Sequence, residues 1–184
     1  MEDRPNGIYQ CARRECPVYT TIREHVSDLE DFPENVTIRK VEAGLYAQKT
    51  STKCEMLAAR TDSFRPLHNY FYYNTKGVKM PRTLPILLFS FKMPDTLDSC
   101  DYTHQLNFYL PAINHTNYPE PPSESGIEVV TTEPRCYVVY HWFSKVADEL
   151  IYRIYRNLKA SLDATATFNL PFERETFVYA SYDP

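Results

Sequence analysis

The chain has 184 residues, 43% of them hydrophobic, with 24 acidic and 20 basic side chains and a net charge of -4. That length supports one domain with a sizeable core, burying roughly two-thirds of the unfolded surface. Mild acidity without a long charged run argues against a nucleic-acid binder held by phosphate contacts, and no window reaches the apolar length of a membrane span.

Residues 1–20 hold Pro5, Gly7, Pro17 and mixed charge, and read as an irregular N-terminal arm ahead of a single domain over 21–184. The opening MEDRPNGIYQ lacks the apolar centre of a signal peptide, so a soluble, cytoplasmic protein is expected. From Val36 to Ser51 apolar and polar residues alternate around Glu42-Ala43-Gly44, which predicts a strand pair with Gly44 at the positive φ of a tight turn. A helix follows. Phe64, Leu67 and Phe71 recur at spacings of three and four, Asp62 or Ser63 can cap the first turn, and Pro66 is tolerable only near that beginning. Asn74 to Gly77 stops it. The apolar run Leu84–Phe91 then predicts a strand covered on both faces. Leu106, Phe108 and Leu110 alternate with Gln105, Asn107 and Tyr109 in a half-buried strand that ends at Pro111.

Residues 112–126 carry Pro119, Pro121 and Pro122 and read as a linker between halves of about 21–111 and 127–184. The second half opens with two strands, Ile127–Thr132 and Cys136–Phe143. Its helix has the clearest periodicity in the chain, with Val146, Leu150, Ile154, Leu158 and Leu162 stepping by four and Ser144 placed to cap. Thr176–Tyr182 supplies a final strand. The two halves also read as copies: Val41–Ala47 lines up with Thr132–Val138, and Val36 and Ile38 fall on Ile127 and Val129 at the same offset. The predicted fold is α+β, two similar strand-strand-helix-strand halves facing one another across a groove.

Catalytic signatures are absent from this sequence. Four glycines leave no phosphate-cradling loop, and no GxSxG, HExxH or CxxC occurs. The acidic residues Asp28, Glu30, Asp31 and Glu34 share one loop and read as solvation, so a non-enzyme is expected. Cys11, Cys16, Cys54, Cys100 and Cys136 are odd in number and scattered, which suits free thiols in a reducing compartment. Cys11 and Cys16 can pair or offer two soft ligands, but nothing at the right spacing completes a metal site.

Several stretches in order resemble the SOUL/heme-binding-protein family from about Glu15 to the C-terminus. They are Ile38–Gly44, Lys76–Met80 through Thr83–Ile86, Phe108–Pro111, Pro119–Glu124 and Tyr179–Pro184. The resemblance implies a distorted β-barrel of two pseudo-symmetric halves with a helix packed on each side, similar to bacterial effector-binding domains. It also implies reversible, non-covalent binding of heme or a related tetrapyrrole. The chain departs from the family where Arg82 replaces a usual methionine and Ser181 a usual glycine. Lys40 stands where some members carry a histidine proposed to ligate iron, and a protonated lysine has no lone pair to offer.

The same resemblance places a porphyrin on the first helix. Phe64, Leu67 and Phe71 then supply apolar faces, Arg60, Arg65 and Lys79 meet propionates, and His68 is the candidate ligand. The competing reading takes Phe64, Leu67 and Phe71 as the stripe by which the helix packs on its sheet. A second function class rests on Tyr70, Tyr72 and Tyr73, which cannot all enter one core. An exposed tyrosine anchors protein interfaces, so the alternative is an interaction or structural module that keeps the fold without heme.

Overall fold

The structure is a computed structural model that describes residues 2–3, 9–11, 14–23, 36–74, 76–91, 103–140, 147–164 and 176–181. Three short strands, β1 (Glu2–Asp3), β2 (Tyr9–Cys11) and β3 (Arg14–Glu15), form a small antiparallel meander in place of a wholly irregular arm. Then come β4 (Tyr19–Arg23), β5 (Val36–Val41), β6 (Gly44–Ser51), α1 (Met56–Tyr73), β7 (Ile86–Phe91) and β8 (Thr103–Tyr109). β9 (Ile127–Thr132), β10 (Arg135–Tyr140), α2 (Asp148–Ala164) and β11 (Thr176–Ser181) complete the order. The class is α+β. Two larger antiparallel sheets, ordered β10-β5-β4 and β11-β7-β8-β6-β9, carry the helices. They do not close into a barrel, because among the described residues no ladder joins an edge of one sheet to an edge of the other.

The strands of the two similar stretches pair differently from the two hairpins that sequence suggests. β5 and β6 part at Glu42–Ala43 and enter different sheets, as β9 and β10 do at Glu133–Pro134. Each pairs instead with a strand of the other copy. Val41 faces Arg135 in β5·β10, and Gly44 faces Thr132 in β6·β9. In the repeat alignment Val41 matches Thr132 and Gly44 matches Arg135, so exchanging the copies turns one ladder into the other. Gly44 itself is needed for space and not for a positive φ: an added Cβ would lie 3.0 Å from Tyr46 Cε2 and 3.1 Å from Tyr109 Cε2.

α1 starts well before Asp62. Met56 and Ala59 are buried in the core, which pulls the first turns into helical geometry and leaves Pro66 in the interior. An interior proline costs about 3 kcal/mol of helix propensity, so tertiary anchoring overrides the local rule. β7 alternates buried Ile86, Leu88 and Ser90 with partly exposed neighbours, not the two-sided cover its composition suggests. β8 is the more deeply placed strand, with Leu106, Asn107, Phe108 and Tyr109 all buried. The linker also packs, since Pro119 is buried and its carbonyl accepts the Tyr70 hydroxyl at 2.5 Å.

In α2 the deeply buried residues are Ile151, Tyr152 and Tyr155, while Leu150, Ile154, Leu158 and Leu162 are half-buried. The expected roles of Val146 and Ser144, and of the acidic loop at Asp28 to Glu34, lie outside the described residues. One chemical expectation is overturned. Cys16 and Cys54 are both disulfide-bonded, and Cys136 is a free, exposed thiol. Scatter along the sequence carries no information about distance in the fold.

Candidate functional site

α1 has a buried side and two accessible flanks, and the expected site residues divide among them. Leu67 and Phe71 are fully buried, with Phe71 edge-on to Phe108 at 5.4 Å between centroids. They belong to the core because β8 covers that side of the helix, so neither presents a face to a ligand. The packing-stripe reading holds for these two. Phe64 is half-buried: it touches Phe108 edge-on at 5.6 Å and keeps part of its ring outside.

Phe64, His68 and Tyr72 step by four residues, which places them one above another on a helix. Their rings form a ladder. Phe64 stacks on His68 at 5.8 Å with 25° between planes, and His68 meets Tyr72 at 4.6 Å and 33°. All three are half-buried. Arg82, from the loop leading to β7, lays its guanidinium over Phe64 at 5.8 Å. Arg60 stands one turn ahead of Phe64 on the same flank, and its buried Nε has no hydrogen-bond partner. Such an orphaned donor is costly unless an anion meets it.

The end of the ladder is fixed by Asn74. Its side-chain amide donates to the Tyr70 carbonyl at 3.1 Å, and its Oδ1 accepts the Val78 N–H at 3.2 Å. The chain turns at Gly77, with φ 63°, and returns to the helix through the Met80 N–H, which donates to the Phe71 carbonyl at 3.0 Å. Lys79 is exposed beside this return.

The opposite flank borders a groove of about 510 Å³ between α1 and the start of the second half. Arg65, Pro66, Asn69 and Tyr73 line it from the helix, with Pro122 and Ile127 across from them. Arg65 therefore faces away from the ladder. Of Tyr70, Tyr72 and Tyr73, Tyr70 is buried, and desolvation followed by the nearby Tyr118 pushes its phenol up to about 12. Tyr72 joins the ladder, and Tyr73 is 78% exposed at the groove.

The remaining described histidines are structural. His104 is fully buried, with Nε2 3.0 Å from the Cys54 carbonyl and Nδ1 2.7 Å from Ser90 Oγ. A carbonyl only accepts, so Nε2 carries the proton and Nδ1 accepts from the serine. Burial holds this imidazole below its ordinary range. His115 bonds the Leu110 carbonyl at 2.8 Å. Lys40 pairs with Glu42 at 2.9 Å on β5 and offers no lone pair there. His25, His141 and Trp142 lie outside the described residues.

Sequence reasoning weighed Tyr72 for a protein interface and Arg82 only as a family departure, and missed both as members of this flank. The signal for Tyr72 was present as the four-residue step from Phe64 through His68. No signal pointed to Arg82, which reaches Phe64 from a separate loop. Residues 14–184 match a family profile described as SOUL heme-binding protein, which is nearly the whole chain. A search of curated proteins finds no match.

Proposed function

Because the chain belongs to the SOUL heme-binding protein family, we propose that it binds heme or a related tetrapyrrole reversibly and without covalent attachment, as a carrier and not as an enzyme. The ladder flank of α1 is the binding surface. The observation that carries this reading is the row Phe64, His68 and Tyr72, half-exposed, with the orphaned Arg60 Nε at one end. A flat apolar macrocycle with anionic side arms needs apolar ring edges for its face and cations at its margin. Arg60 is suited to one carboxylate through a charge-assisted hydrogen bond, and exposed Lys79 is within the same region of chain for another. The flank supplies burial and orientation, while redox or Lewis-acid chemistry is the metal's own.

Titration of hemin into the purified protein is expected to give a saturable Soret change at one equivalent. The double change Phe64→Ala, Tyr72→Ala should weaken it at least tenfold, and a flat wild-type titration overturns the reading. The second reading, a protein-interaction module, is favoured by one observation: Tyr73 is 78% exposed at the groove on the other flank. Under that reading Tyr73→Ala abolishes partner capture and leaves hemin titration unchanged. Disulfide-bonded Cys16 and Cys54 support residence in an oxidising compartment over the cytoplasm that the N-terminal sequence suggests.

A further inference from the structure

The flank of α1 opposite the ladder carries a second row of side chains at the same step. Arg65, Asn69 and Tyr73 are four residues apart, all exposed, and all three line the groove. Their polar ends are uncommitted. Among the described residues no ion pair occupies the Arg65 guanidinium, and no hydrogen bond occupies the Asn69 amide or the Tyr73 hydroxyl. Asp62, the one carboxylate among the described groove residues, accepts the Ser51 hydroxyl at 2.9 Å and does not pair with Arg65. On the far wall Pro122 and Ile127 are apolar, and the Ser125 hydroxyl is already bonded to the Pro122 carbonyl at 2.6 Å. The helix row therefore presents a cation, an amide and a phenol ring in fixed order, with no anion of the protein to answer the cation.

We propose that this groove binds an extended segment of a partner protein, with an acidic side chain of that segment on Arg65 and a proline about four positions away on Tyr73. This assignment builds on the interaction reading of the groove, names the partner's chemistry, and is independent of tetrapyrrole binding on the ladder flank. The groove has the shape for it. α1 lines it from Thr61 to Asn74, a length of about 20 Å at 1.5 Å per residue, so a volume of about 510 Å³ makes a slot along the helix. Between Arg65 and Tyr73 the helix rises about 12 Å, which a polyproline II segment covers in about four residues. The guanidinium takes a carboxylate in a bidentate, charge-assisted pair. Asn69, halfway along the row, has both a donor and an acceptor for the peptide backbone. Tyr73 offers an aromatic surface to proline, whose preset backbone loses little freedom on binding.

The test measures fluorescence anisotropy with labelled synthetic peptides, each holding one glutamate and one proline at a varied separation in a background of serine and alanine. Separations of about three to four residues should bind most tightly, about tenfold above the same peptides with glutamine for glutamate, and rising salt should weaken them. Arg65→Ala should lower affinity about tenfold and Tyr73→Ala about fivefold, while Arg65→Lys keeps part of it. Arg65→Glu should reject the acidic peptides and accept those with lysine in place of glutamate, a gain that also reports a folded groove. If glutamate and glutamine peptides bind wild type alike, or the separation makes no difference, the proposed chemistry is overturned while the interaction reading stands. If no peptide of the series binds wild type, the extended-segment assignment fails, and if Tyr73→Ala also leaves capture of a protein partner unchanged, the interaction reading fails with it.

Discussion

The two helices each follow a pair of strands in the chain, yet they are seated to different depths. α2 carries the cleaner apolar stripe, but Leu150, Ile154, Leu158 and Leu162 are only half-buried. α1 has a weaker pattern interrupted by Pro66, and Leu67 and Phe71 are fully buried. The difference comes from the partner surface. α1 lies on β6 and β8, where Phe108 and Leu106 fill the space beneath it. α2 reaches Phe177 of β11 through Tyr155 at 5.4 Å, and Val36 and Ile38 through Leu158. Amphipathic periodicity tells which side of a helix turns inward, and the facing sheet decides how far in it goes.

Truncation should expose this asymmetry most strongly. Phe71→Ala removes a ring packed on all sides and is expected to cost about 3–5 kcal/mol. Leu158→Ala, on the cleaner stripe, should cost about 1 kcal/mol, near the centre of the range for single changes. Urea unfolding midpoints measure both. Equal losses would show that α2 is as deeply set as α1 and would break the comparison.

The next largest effect concerns the entrance to α1. Cys54 directly precedes the helix and is disulfide-bonded, so reduction releases a restraint on the unfolded chain worth about 2–4 kcal/mol. Maleimide labelling of the native, unreduced protein should modify Cys136 and spare Cys16 and Cys54 until a reductant is added. Labelling of Cys54 without reductant would remove that restraint and, with it, one reason α1 is held tightly.

How much of this could be read from the sequence follows from where each determinant lies. The α+β class and the stop of α1 at Asn74 are local patterns and are legible. The hairpin reading failed because strand alternation fixes which residues share a face and not which strand is the neighbour. Gly44 shows the same limit: its lack of a side chain is visible, but the Tyr46 and Tyr109 rings that need the space are not. At the site, Phe64 and His68 were legible as helix residues near one another. Leu67 and Phe71 look identical to them by spacing, and only Phe108 on a distant strand decides that they face inward.

A smaller, pH-dependent effect also bears on α1. His104 ties β8 to the helix entrance through the Cys54 carbonyl and to β7 through Ser90. Its folded pKa is lowered by burial, so the unfolded chain, with a value near about 6.5, takes the proton first. Stability from this group is therefore complete above pH of about 6.5 and declines as pH falls toward the lower folded value, by at most about 1.4 kcal/mol per pH unit. Denaturation midpoints between pH 7.5 and 5 should show the decline, and His104→Gln should flatten it. A slope unchanged in that variant assigns the decline to other groups.

The smallest effect couples the two helices directly. Glu55, at the N-cap of α1, makes no side-chain capping bond. The Leu57 N–H is instead met by Oδ1 of Asp148, the first residue of α2, at 3.1 Å. Four N–H groups open every helix without internal partners, and here one of them is satisfied from the opposite half. That is a reason the start of α1 is hidden from local sequence rules. Asp148→Ala should cost about 1 kcal/mol, the usual value of a lost cap, whereas Asp148→Asn keeps an acceptor oxygen and should cost less. Amide exchange at Leu57 reads the coupling specifically: it should accelerate in the alanine variant and change little in the asparagine one. If exchange at Leu57 is indifferent to both, the helices hold their starts independently, and the deeper seating of α1 owes nothing to α2.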